Sequence, residues 1–121
     1  MAGIKKKFVK RNQRLSEYRN LWVLVFFDLP VLTDRDKRVY SRFRKKLLKD
    51  GFTMFQFSIY VRHSNSKENA DVHIKRIKNG LPDKGHVGIL TITDKQFGLM
   101  DIYYGKAPQE PPPTPQQLEM F

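Results

Sequence analysis

Asp28 closes the apolar run Leu21-Trp22-Val23-Leu24-Val25-Phe26-Phe27 and is followed by Leu29-Pro30. A carboxylate at the carboxyl end of an apolar strand stands where α/β proteins place their ligands. Burying it without a partner or a cation is costly. Mg²⁺ is the natural cation, because it takes hard oxygen ligands and keeps several waters. One carboxylate makes a poor site. Two Asp28 side chains facing each other across a two-fold axis make a better one, and the isologous interface of a dimer allows that arrangement. Such an ion would polarise a phosphate and activate water for in-line attack. The competing reading is a strand-end carboxylate that caps the turn at Pro30 or accepts bonds from backbone N–H groups.

The remaining titratable residues suggest less. Asp34 and Asp36 suit a helix N-terminus. Asp94 suits a turn, Asp83 a Pro/Gly loop and Asp101 a surface position. His63, His73 and His86 follow one another at 10 and 13 residues, which is no metal-ligand spacing, so they read as polar packing or surface. The chain has no Cys. That excludes a thiol nucleophile, a disulfide framework and any cysteine zinc or iron–sulfur site. Ser58 and Ser66 lack an elbow or triad context. Without a Walker lysine loop or a GxGxxG turn, nucleotide hydrolysis has no support.

Charge points to a polyanion. Lys and Arg number 23 against 12 Asp and Glu, a net of +11, and nucleic acid is the commonest polyanionic partner. Residues 1–20 hold Lys5, Lys6, Lys7, Lys10, Arg11, Arg14 and Arg19 against the single acid Glu17. This basic arm suits electrostatic capture of phosphates with counterion release, or else a solvated tail. Arg38, Arg42, Lys45 and Lys49, at spacings of 4, 3 and 4, form a stripe able to track phosphates. A solvated helix face is the plainer reading of the same stripe. No zinc finger, ribonucleoprotein motif or GXXG loop accompanies it, so binding should be sequence-independent. The final residues Gln117-Leu118-Glu119-Met120-Phe121 resemble the short peptide by which bacterial proteins dock on the replication sliding clamp. The alternative is a tail that packs on a dimer mate or another subunit.

These groups need elements to hold them. With 121 residues and a 40% hydrophobic share, the chain suits one domain with one core. The run from Leu21 reads as a central strand buried on both faces, ended by Pro30. Thr33 offers an N-cap for a helix to about Asp50, stopped by Gly51. Val39, Tyr40, Phe43 and Leu47 make its apolar face. Alternation over Thr53–Arg62 predicts one strand. A second helix should span Ser66–Asn79, with the stripe Ala70, Ile74, Ile77 and Leu81. Val87–Thr93 reads as a strand, Asp94-Lys95 as a turn and Phe97–Tyr104 as a last strand or extended segment. Pro108, Pro111, Pro112, Pro113 and Pro115 make the tail extended.

Two helices on a small sheet should cover one face and leave the other bare. A bare apolar face marks an interface, so the expectation is a homodimer built sheet to sheet. No apolar run approaches the roughly 18 residues of a membrane span, and the run from Leu21 lacks a cleavage site for a signal peptide. We therefore expect a cytoplasmic protein without membrane partners. Three segments result: a basic arm (1–20), a folded domain (21–105) and a Pro-rich tail (106–121).

Several segments together resemble a known family. These are Trp22-Val23-Leu24-Val25-Phe26-Phe27-Asp28-Leu29-Pro30, Gly51-Phe52, Gln56-Phe57-Ser58-Ile59-Tyr60, Gly85-His86-Val87 and Ile92-Thr93-Asp94-Lys95-Gln96-Phe97. In that order they are similar to the small CRISPR-associated spacer-acquisition proteins, the Cas-two family, over about residues 18–104. The basic arm and the Asp-Lys-Gln-Phe turn resemble the type II variety, found beside Cas-nine-type effectors. The resemblance implies an α+β, ferredoxin-like βαββαβ sandwich with an additional C-terminal strand, in which Thr53–Arg62 is two strands joined near Gln56–Ser58. It implies a homodimer packed through the sheets, with the segment around Phe97–Tyr104 added to the partner's sheet. It further implies that Asp28 is the catalytic and Mg²⁺-binding residue of a metal-dependent endonuclease acting on single-stranded RNA or double-stranded DNA. In adaptation, the family dimer bridges two dimers of the Cas-one integrase around a short duplex.

The combined expectation is a dimeric, duplex-binding bridge in spacer acquisition, with hydrolysis at Asp28 secondary. Phosphate contacts are assigned to Arg38, Arg42, Lys45, Lys49, Lys5, Lys6, Lys7, Lys10, Arg11 and Arg14. The alternative is a protein-interaction or toxin-like module with no catalytic role.

Overall fold

The computed structural model describes residues 20–109. The expectations for Lys5, Lys6, Lys7, Lys10, Arg11 and Arg14, and for the Gln117–Phe121 peptide, lie outside the described residues.

Strand β1 (Leu21–Asp28) lies inside an antiparallel sheet that also contains β2 (Thr53–Gln56), β3 (Ile59–Ser64) and β4 (His86–Thr93), in the order β2-β3-β1-β4. Its aromatic and β-branched residues suit a strand flanked on both sides. Helix α1 (Asp34–Lys49) starts in a capping box. The Asp36 N–H donates to Thr33 Oγ1 at 3.0 Å, and the Thr33 N–H donates to the Asp36 carboxylate at 3.2 Å. These bonds satisfy backbone donors that a helix start leaves free. Gly51, at φ +88°, ends the helix region in a conformation that L side chains rarely adopt. Helix α2 (Lys67–Lys78) is capped by Ser66, which accepts from the Asn69 N–H at 3.0 Å. The order from β1 to β4 is thus βαββαβ. The α+β architecture and strand order are compatible with a ferredoxin-like fold.

Alternation along β1 divides the core in two. Val23, Val25 and Phe27 face the helices and pack with Phe43 and Leu47 of α1, Ala70 and Ile77 of α2, and Phe52 and Tyr60. Each buried Val, Leu, Ile or Phe side chain here contributes roughly 1.5–3 kcal/mol, and Ala70 less. Trp22 and Leu24 point to the opposite face, where they join Val61 and Phe97.

Three expectations change. The single strand over Thr53–Arg62 is a hairpin, because Ser58 takes φ 65° and turns the chain between β2 and β3. This agrees with the family pattern. The alternation had concealed it, because the ladder shifts register between Met54 and Gln56. The second change is the Asp94-Lys95 turn and the start of the last strand, which form a short helix, α3 (Asp94–Gly98). Thr93 and Gln96 make a second capping box there, with bonds of 3.1 and 2.9 Å, and this favours a helical turn over an extended chain. Lastly, Leu81 does not join the α2 stripe, since the helix ends at Lys78 and Leu81 is exposed beyond it.

Beyond α3, β5 (Ile102–Tyr104) pairs with β6 (Ala107–Gln109) around Gly105 as a separate two-stranded sheet. Among the described residues, no helix is long and apolar enough to cross a membrane.

Candidate metal and nucleic-acid site

Asp28 ends β1 one residue past Phe27, so alternation turns its side chain to the face opposite α1 and α2. It is exposed, and it makes no hydrogen bond or ion pair with another described residue. The competing reading, a carboxylate occupied in capping the Pro30 turn, therefore finds no bond to support it. Across the ladder its Cα partner is His86, the first residue of β4, and that side chain is exposed too. Gly85 precedes it at φ +87°, where a Cβ would stand 2.5 Å from the Asp28 carbonyl oxygen. The missing side chain at Gly85 lets β4 begin hard against the end of β1.

The surface beside Asp28 is apolar and open. Phe26 is 36% exposed and Leu90 48%, both on the Asp28 face. The opposite end of that face is closed. Phe97 of α3 stacks on Trp22 with ring centroids 4.2 Å apart and planes at 16°. Trp22 Nε1–H donates to Asp94 at 2.7 Å, tying α3 to β1. His63 meets the Trp22 ring edge-on at 5.3 Å. Burial pushes the His63 imidazole below its ordinary value, against an upward pull from Asp94 and with a further downward push from Arg62.

Among the described residues, no three His, Asp or Glu side chains gather into a metal cage. Among the described residues, this end of the face offers one hard oxygen ligand, Asp28, and no described cation pairs with it. That donor fits Mg²⁺ only as half of a site, since Mg²⁺ is bound through one or two carboxylates and keeps its waters.

Helix α1 gathers the cations on the other side of the sheet. Arg38 and Arg42 line a groove of about 570 Å³ with Arg35, Lys46, Val39, Phe43, Gly80, Leu81, Pro82 and Asp83. Lys49 instead borders a neighbouring groove of about 410 Å³, which it shares with Lys46, Leu47, Asp50, Arg76 and Ile77. Lys45 is exposed and lines neither groove. Sequence reasoning thus missed Arg35, Lys46 and Arg76. The first two were open to it, because Arg35, Arg38, Arg42 and Lys46 recur at spacings of 3, 4 and 4 along one helix. Arg76 needed the packing of α2 on α1.

That packing rests on Asp50. Its carboxylate accepts from His73 Nδ1–H at 2.7 Å and from Arg76 at 2.7 Å. A carboxylate can only accept, so His73 carries its proton on Nδ1. Burial alone would raise the Asp50 carboxyl, but the bonds and charges of His73 and Arg76 outweigh it and hold Asp50 below the ordinary carboxylate range. On α1, the hydrogen bond from the Thr33 backbone lowers Asp36 against desolvation, with the Thr33 side chain and Lys84 assisting.

The family model described as CRISPR associated protein Cas2 matches residues 21–100, from the start of β1 to two residues past α3. The chain belongs to the Cas2 family. Over 108 residues it is 59% identical to the CRISPR-associated endoribonuclease Cas2 of Flavobacterium psychrophilum, which covers 89% of this chain and 94% of that one. It is 50% identical over 101 residues to the protein of the same name from Parvibaculum lavamentivorans, covering 84% of this chain and all of that one. A third Cas2 endoribonuclease, from Ligilactobacillus salivarius, is 42% identical over 88 residues, or 73% of this chain and 87% of that one. The match to the Cas2 family model takes in Asp28, His86 and every groove cation named above, and it stops before β5.

Proposed function

We propose that this Cas2-family chain is a cytoplasmic, dimeric nucleic-acid-binding subunit of CRISPR adaptation, of the variety found beside Cas-nine-type effectors. In this reading two copies pack through their open sheet faces, and the dimer bridges the Cas-one integrase while it holds a short duplex. The observation that carries it is the pairing of an exposed, unbonded Asp28 with uncovered Phe26 and Leu90 on one face. Sheet-to-sheet packing would cover the apolar surface and bring two carboxylates toward a shared axis. It would leave the α1 grooves on the two outer surfaces, free for phosphates.

A second reading adds metal-dependent hydrolysis of RNA or DNA, in keeping with the endoribonuclease names of the relatives. Asp28 from each copy would hold Mg²⁺, which when bound supplies phosphate polarisation and an activated water. Arg35, Arg38, Arg42 and Lys46, on the outer surfaces, would hold more distant phosphates of the nucleic acid by charge-assisted bonds, not the one at Asp28. The segment from Ile102 would extend the partner's sheet.

Fluorescence anisotropy with a labelled duplex, repeated across a salt series, tests the reading. Affinity should fall steeply with salt, by about 0.9 log units per log unit of salt for each phosphate contacted. Arg38→Ala with Arg42→Ala should weaken binding and reduce that slope. Asp28→Asn should leave duplex affinity intact and abolish any Mg²⁺-dependent cleavage. Salt-independent binding, or binding untouched by the arginine changes, contradicts the phosphate-tracking role.

A further inference from the structure

His86 has no role in the reading above, yet it is the residue the ladder sets opposite Asp28. In an antiparallel pair such residues project from the same face, with Cβ atoms about 4.5–5.5 Å apart. Ligand bonds from carboxylate oxygen or imidazole nitrogen to a divalent transition ion run to about 2.0–2.2 Å. One ion can therefore be reached by both side chains. The β4 register follows its ladder with β1 and the close approach at Gly85. Gly85, at φ +87°, admits the Asp28 carbonyl where a Cβ would collide. Three residues on, Gly88 pairs with Phe26, and a Cβ there would touch its ring at 3.4 Å. Both side chains are exposed, so neither is committed to the core.

We propose that His86 is a second ion-binding residue of the Asp28 site, so that each copy presents one carboxylate and one imidazole. The inference rests on the dimeric Asp28 reading, because the donor set of one chain is incomplete. Two copies would offer two oxygen and two nitrogen donors to one ion. Mg²⁺ gains little from imidazole, whereas later first-row divalent ions favour it. The paired site therefore prefers such an ion to Mg²⁺, and His86 is the residue that sets the preference.

Cobalt(II) is the probe, followed by calorimetry and by the visible absorption of the bound ion on the full chain. The parent should bind Co²⁺ more tightly than Mg²⁺. His86→Asn should weaken Co²⁺ by about tenfold or more while changing Mg²⁺ affinity by less than about twofold. His86→Asp should restore an oxygen donor, shift the Co²⁺ spectrum and narrow the preference. Sedimentation and melting of each variant confirm that fold and assembly persist. Unchanged Co²⁺ affinity in His86→Asn overturns the inference. In that event, loss of all ion binding in Asp28→Asn leaves the Asp28 reading standing. Ion binding untouched in both variants removes both readings. Loss confined to His86→Asn, with Asp28→Asn unaffected, also overturns the shared site.

Discussion

The two ends of the second sheet face are built from the same strands and reach opposite outcomes. At the Trp22 end, α3 folds back and buries Trp22, Leu24, Val61 and Phe97, with a stacked ring pair and a 2.7 Å bond from the indole to Asp94. At the Asp28 end the same β1 and β4 leave Phe26 uncovered beside an unbonded carboxylate and an exposed imidazole, and Leu90 is uncovered midway along the face, opposite Leu24. The closed end completes the fold within one chain. The open end keeps groups that no other described residue satisfies, which is what the proposed assembly of two copies would use.

The sharpest way to break this contrast is at the closed end. Phe97→Ala removes the ring over Trp22 and should cost about 3–5 kcal/mol of stability. Urea unfolding followed by Trp22 fluorescence would measure it. A loss under about 1 kcal/mol would mean that α3 does not cover the face as described. The next largest effect lies at the junction between the strands. Gly85→Ala forces a side chain into a left-handed conformation and against the Asp28 carbonyl, at about 1–3 kcal/mol. It should also weaken ion binding in the folded protein, because His86 and Asp28 lose their register. Thermal melting read beside Co²⁺ titration separates the two effects.

A smaller effect sharpens the comparison through pH. Asp50 is held below its ordinary value of 3.8 in the folded protein. Its contribution is therefore fully present above that value and is lost as pH falls through the folded pKa. His63 is also lowered, from 6.5, so the unfolded chain takes its proton first and stability falls as pH drops below 6.5. Melting temperature should decline in two stages on acidification. His63→Phe should remove the upper stage, and Asp50→Asn should reduce the lower one, to which Asp36 also contributes.

Local signals made much of the fold legible in advance. Thr33 and Ser66 announced both helix starts, and Gly51 announced the first helix end, because caps depend on a few adjacent residues. The β2–β3 turn was hidden for the converse reason. A non-glycine residue, Ser58, takes the left-handed conformation, and the bulge beside it keeps the apolar alternation running across the turn. The short α3 was misread as turn and strand because its capping box competes with a β-rich composition around Phe97. Asp28 could be singled out as a candidate site residue from its place after an apolar run. His86 could not, since 58 residues separate it from Asp28 and only strand register brings the two together. The α1 groove was half visible. Helical spacing groups Arg38 with Arg42, but choosing Lys46 over Lys45 required knowing which way α1 faces α2.

The central claim is that the open end of the sheet is where two copies meet, and sedimentation equilibrium of the parent and of Leu90→Asp tests it most directly. Leu90 is 48% exposed and opposite Leu24 on β1, so a carboxylate there should leave the single chain folded while placing like charges in the contact. The account predicts a dimeric parent and a folded, monomeric Leu90→Asp protein, with Lys45→Glu on the outer helix remaining dimeric. A monomeric parent, or a Leu90→Asp variant that still sediments as two copies, contradicts it.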